Sequence, residues 1–199
     1  MDTNRSNMSR SNTTPLMDAL QEDLKGLFPV GEEAAAAYHD KLSVLAERVD
    51  EEILQSSNVA EMIGRCPVEV ITTNHRNHAR FMVAVFAIDL PTLLVRVIPW
   101  AYRVYTTRGV SFSYFPAECS AWINAVEKEL DPAFAEPIRR IYNWMIDHHE
   151  DMKQLSGDVN VFSSQSEDWS EELDSLLSCL LAGDAQSVQQ LVESEAPDI

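Results

Sequence analysis

Two groups of chemistry-bearing residues lie close together in the middle of this chain. His75, Arg76, His78 and Arg80 stand just before Phe81 in NHRNHARFMVAVFAIDL, and Trp100, Tyr102, Arg103, Tyr105 and Arg108 follow in LLVRVIPWAYRVYTTRG. Arginine presents a fixed planar fork of donors that suits carboxylates. Imidazole accepts, donates or carries charge near neutral pH, and aromatic rings wall a flat apolar surface. These cationic side chains are what an anionic ligand would require. His75 and His78 are three positions apart and share a helix face. The same pair would also suit a solvated helix start, since histidine is often half-buried or exposed. Against that reading, an otherwise acidic chain of formal net charge -17 concentrates cations in this segment.

The remaining constellations are poorer. His148 and His149 are adjacent, so they point to different helix faces and cannot form the i, i+4 pair of a metalloprotease helix. Joining them to His75 and His78 as a metal site would need carboxylate support that spacing does not reveal. Cys66, Cys119 and Cys179 are widely spaced, without the CxxC pattern of a zinc site or the even count of a disulfide scaffold. Trp100, Trp122, Trp144 and Trp169 sit at apolar positions suited to a core, with Trp100 set apart by the proline before it. No phosphate loop, nucleophile elbow or Cys–His pair is present, and no enzymatic activity is expected.

The elements that must position these residues are helical throughout. Residues 1–14 carry little to bury and are expected to form a disordered tail. Leu16, Leu20, Leu24 and Leu27 then mark a short amphipathic helix. Tyr38, Leu42, Leu45, Val49 and Ile53 predict a second that ends by Ser56. A helical turn closed by Gly64 follows, then a helix opened by Pro67 and running to about Ile88, although the alternation in PVEVITT could also be read as a strand. Asp89 is expected to cap the next helix, Pro99 to kink or restart it, and Gly109 to end it. Further helices are expected from Ser113 to Leu130, and from Pro132 and Pro137 onward as one long element in which Ile138, Ile141 and Met145 face inward. The resulting division is a main unit over 15–157, a polar linker over 158–168, and an acidic helical hairpin over 169–199. The hairpin carries Leu173, Leu176, Leu177, Leu180 and Leu181 on one stripe.

The segment YTTRGVSFSYFPAECSAWINAVEKEL resembles the end of the proximal helix, the turn and the next helix of a bacterial globin. NHRNHARFMVAVFAIDL is similar to a distal-side helix, and AEPIRRIYNWMIDHHEDM to the last one. Where a haem globin carries its iron-ligating histidine, this chain has Tyr105. The resemblance is therefore to globin-like sensor domains without the proximal histidine, including phycobiliprotein-like and photocobilin-like domains that hold an open-chain bilin. It implies a tetrapyrrole, a linear bilin such as biliverdin ahead of haem, with His75, His78, Arg80, Phe81, Trp100, Tyr102, Tyr105 and Arg108 as its contacts. Cys66 and Cys119 are candidate thioether sites under that resemblance, although the Cys-x-Arg-Asp surroundings of phycobiliproteins are missing. LLSCLLAGDAQSVQQLVE resembles the opening helices of the four-helix cap of cobalamin-binding domains, but the Asp-x-His-x-x-Gly motif of the cobalamin domain is absent.

The expectation is thus an all-α, non-enzymatic sensory module that reports light, redox or ligand state to an adjoining or partner regulatory protein, with room for a homodimer. The competing expectation is a cofactor-free interaction module working through its acidic surface and leucine-rich hairpin. The net charge of -17 argues against direct nucleic-acid binding. The lack of a signal peptide and of an apolar spanning run argues for a cytoplasmic protein without a membrane anchor.

Overall fold

Proline and glycine set the breaks between helices, and the apolar stripes set which faces meet. The computed structural model describes residues 5–89 and 91–157. Among these it contains eight helices and no strand: α1 (Arg5–Lys25), α2 (Glu32–Gln55), α3 (Val59–Ile63), α4 (Val68–Ile88), α5 (Thr92–Thr107), α6 (Tyr114–Glu129), α7 (Pro132–Asp147) and α8 (His149–Gly157). The PVEVITT segment is helical, so the strand alternative falls away. The linker and hairpin expected after residue 157 lie outside the described residues.

α2 is the hub. Its buried face of Ala34, Tyr38, Leu45, Ala46, Val49 and Ile53 follows the expected stripe, with Leu42 partly buried beside it. Against this face pack α4, α6 and α7, while α6 and α7 pair with each other. α5 packs on α8 and α1 instead. α4 and α5 do not pack closely along their lengths, and a cavity occupies the gap between them.

Four local expectations are corrected. Asp89 does not open α5; it closes α4 in a left-handed conformation with φ 50, which an aspartate tolerates better than most side chains, and Pro91 caps α5. Pro99 does not split α5, which runs unbroken from Thr92 to Thr107; the ring is buried, and packing holds together a helix that lacks one backbone donor. The long C-terminal helix is broken at His148, where φ -97 and ψ 19 leave the helical region. There the imidazole shares hydrogen bonds with Asp151 Oδ2 at 2.9 Å and Asp23 Oδ2 at 3.2 Å. Finally, α1 begins at Arg5, well before Leu16, and passes through Pro15, so residues 5–14 are helical where a disordered tail was expected. No apolar stripe in the sequence of its first turns accounts for that extension.

The turns around the cavity are tightly fixed. Ser111 N donates to Met62 O at 2.7 Å, which ties the α5–α6 turn to α3. Gly64 adopts φ 57, and a Cβ there would run into the carbonyl oxygen of Gly109. Asp131 caps α7 by accepting from Ala133 N at 3.0 Å, with Pro132 at the first helical position.

Candidate functional site

The cavity between α4 and α5 has a volume of about 170 Å³ and is lined mostly by apolar atoms. α4 contributes Asn74, Asn77, His78 and Phe81; α5 contributes Val97, Ile98, Trp100, Ala101, Tyr102 and Tyr105. α6 adds Phe115, Glu118 and Cys119, and α7 adds Met145. Helical spacing explains the grouping, because 74, 77, 78 and 81 form one stripe on α4 and 98, 101, 102 and 105 form one on α5.

Of the residues expected from sequence to hold a ligand, His78, Phe81, Trp100, Tyr102 and Tyr105 meet in this wall. His75 does not reach the cavity. It is fully buried behind it, with Nδ1 2.5 Å from Asp50 Oδ1 and Nε2 2.8 Å from Tyr114 Oη. The solvated-helix-start reading of this histidine is overturned, because the packing of α2, α4 and α6 closes over it. Arg80 and Arg108 are exposed and outside the lining; the Arg108 guanidinium lies over the Tyr105 ring, 5.7 Å from its centroid.

The aromatic side of the cavity is built in layers. Tyr102 stacks on Phe115 with centroids 3.7 Å apart and planes 13° apart, and its Oη shares a hydrogen bond of 2.9 Å with His149 Nδ1. His149 therefore braces the cavity wall while His148 faces α1, as adjacent residues pointing apart must. Burial and the Glu118 charge push the Tyr105 phenol up to about 12. Tyr105 thus stays protonated in the ligand-free protein.

The polar side was largely missed by sequence reasoning. Glu118 is 6% exposed and accepts from Asn74 Nδ2 at 3.1 Å. Burial raises its carboxyl above the ordinary glutamate range, opposed by the charge of His75. In sequence, Glu118 reads as an acidic residue near a helix start, complementing the helix dipole, so nothing marks it for the interior. His78 shares a 3.2 Å hydrogen bond with Tyr142 Oη, which lies 2.9 Å from Tyr38 Oη. Burial, with the nearby His75 charge, lowers the His78 imidazole to about 3 and keeps it neutral. Trp122, stacked on Tyr142 with planes 5° apart, is fully buried; its indole Nε1 neighbours Glu118 but falls short of hydrogen-bond geometry.

Cys119 also lines the cavity, 3.9 Å from Met145 Sδ, but burial pushes its thiol far from ionisation, so it is not an activated nucleophile. Cys66 is buried elsewhere and also raised by burial. Among the described residues, no group of three or more His, Cys, Asp or Glu is arranged to hold a metal ion. No helix among them is long and apolar enough to cross a membrane.

The arrangement suits a flat ring that carries N–H donors. The cavity gathers aromatic rings from α4, α5 and α6, and Glu118 brings a carboxyl that can accept from an N–H donor. No protein-family model, curated protein or solved structure matches the chain.

Proposed function

We propose that this helical unit is a globin-like, non-enzymatic sensory module that binds a tetrapyrrole, a linear bilin such as biliverdin in preference to haem. The observation that carries this reading is the convergence of Phe81, Trp100, Tyr102 and Tyr105 with His78 and Glu118 around one apolar cavity. An aromatic slot matches pyrrole rings, and the buried carboxyl matches their N–H groups.

The dimensions favour the open-chain form. Pockets that enclose a drug-sized ligand measure about 300–1,000 Å³, whereas this one measures about 170 Å³. That is close to the ~150 Å³ that holds a benzene ring. An open-chain tetrapyrrole can insert one end ring and leave the rest outside the cavity. A rigid macrocycle cannot enter in part. The ligand set points the same way, since His78 has its Nε2 engaged by Tyr142.

When bound, a bilin supplies a chromophore whose shape and charge respond to light or redox state. The protein's part is to position it: α5 forms one wall and packs on α1 and α8, so displacement of α5 is passed to both. An adjoining or partner regulatory protein would read that displacement.

Reconstitution of the purified protein with biliverdin and, separately, haemin tests the reading. A visible band with biliverdin and none of haem character with haemin is expected. A haem band alone would reverse the preference, and a protein left colourless by both compounds would reject the tetrapyrrole reading. In that last event the small cavity favours the second reading, a cofactor-free interaction module. Charges placed at Leu177 and Leu181 would then abolish partner capture, while alanine at His78 or Trp100 would leave it intact.

A further inference from the structure

Behind the cavity wall, Asp50 of α2, His75 of α4 and Glu118 of α6 form a line from the surface to the interior. The Asp50 side chain is 17% exposed, His75 is fully buried, and Glu118 forms part of the cavity lining. His75 Nδ1 is 2.5 Å from Asp50 Oδ1. On the other side of the ring, Nε2 lies 2.8 Å from Tyr114 Oη and 3.9 Å from Glu118 Oε1. Arg76 Nη2 approaches the far oxygen of Asp50 at 3.9 Å. A buried imidazole gripped at both nitrogens is not needed to fill space, because an aliphatic side chain would do so without the desolvation cost.

We propose that Asp50 and His75 are positioning residues that hold a positive imidazole against Glu118 from behind, and so set whether the cavity presents a carboxylate or a neutral carboxyl to its ligand. The inference rests on the ligand reading above and specifies its regulation. With the pair in place the cavity takes the protonated, cationic form of a nitrogen heterocycle; without it the cavity turns neutral and that preference is lost.

The surroundings of Glu118 leave His75 as the group that can perform this role. α5 presents Tyr102 and Tyr105, α2 presents Tyr38, α7 presents Tyr142, and α6 itself presents Tyr114 and Cys119. Burial pushes all six away from ionisation and holds His78 of α4, in the same lining, neutral down to about pH 3, so none of these carries charge between about pH 4 and 8. Among the described residues, no lysine or arginine lines the cavity. The charge of His75 is the largest influence opposing the desolvation of Glu118, ahead of the Trp122 and Tyr114 side chains, and Asp50 Oδ1 sits 2.5 Å from the other ring nitrogen on the solvent side.

An infrared pH titration of the ligand-free full chain tests this directly. The carboxylic C=O band that disappears in Glu118→Gln reports protonation of Glu118. In Asp50→Asn and in His75→Gln its midpoint should rise by about one pH unit. The side-chain amide introduced by Asp50→Asn keeps an oxygen that can accept from Nδ1–H, so this variant decides the matter alone if the buried His75→Gln does not fold. A wild-type midpoint in Asp50→Asn would overturn the proposal. With biliverdin added, the pH at which its visible band changes should move down in Asp50→Asn, because the preference for the cationic ligand is lost. Absence of any biliverdin band would reject the tetrapyrrole reading instead, leaving the infrared midpoint to decide the role of the pair.

Discussion

His78 is at once a packing residue and part of the cavity wall. Its ring lies 5.1 Å from Trp122 and 5.7 Å from Tyr142, its Nε2 bonds to Tyr142, and its edge faces the cavity. Because burial lowers its titration to about 3, the folded protein binds fewer protons at this site than the unfolded chain between about pH 6.5 and 3. The contribution to stability is present above the unfolded value and is lost as pH falls through that window. Urea unfolding at several pH values should therefore show a steeper acid loss in wild type than in His78→Gln, with parallel curves as the contrary result. Glu118 has the opposite sign: its raised titration makes the folded state hold the extra proton, so stability declines as pH rises from the ordinary glutamate value to the folded one. Glu118→Gln should flatten that decline in the same unfolding series. Sequence could place His78, Phe81, Trp100, Tyr102 and Tyr105 as candidates because helical spacing and residue type suffice for that. It could not find Glu118, since burial of a carboxylate is decided by α4, α5 and α7 closing over it.

At the level of elements, the breaks were legible where a backbone constraint dictates them and obscure where tertiary packing overrides it. Gly64, Pro67, Ser113 and Pro132 mark ends that the structure adopts within a residue or so. Pro99 and His148 went the other way, because a buried α5 tolerates its proline and a side-chain clasp interrupts the last helix. The Gly64–Gly109 approach is the tightest of these constraints. Gly64→Ala combines a positive φ with a clash against backbone that cannot swing aside, and should cost about 2 kcal/mol or more in chemical denaturation. A change within about 0.5 kcal/mol would show that the turn is not rigid. Asp23 joins α1 to this frame by accepting from Trp144 Nε1 at 2.8 Å and pairing with His148. Asp23→Ala should cost about 1 kcal/mol and speed hydrogen exchange in α1 before any other helix. Uniform exchange across all helices would count against a local clasp.

For the molecule as a whole, the architecture separates a closely packed frame from a cavity wall. α2, α6 and α7 form a closely packed frame around Tyr38, Trp122 and Tyr142, whose hydroxyls and rings are linked in the interior. α5 stands on the other side of the cavity and rests on the peripheral helices α1 and α8. A ligand between frame and wall would move the wall, because the frame carries most of the buried aromatic packing. The all-α class followed from apolar spacing and the lack of convincing strand pairs. The cavity itself did not, since it depends on α4 and α5 failing to meet.

Titration of the wild-type protein and of Trp100→Ala with biliverdin, followed by visible absorption, tests the central claim most directly. A saturable one-to-one red-shifted band in wild type, with affinity at least about fivefold weaker in Trp100→Ala, is predicted, since loss of one stacked aromatic wall is worth roughly 1–3 kcal/mol. No band, or a band of equal affinity in both proteins, would contradict the assignment of this cavity to a linear tetrapyrrole.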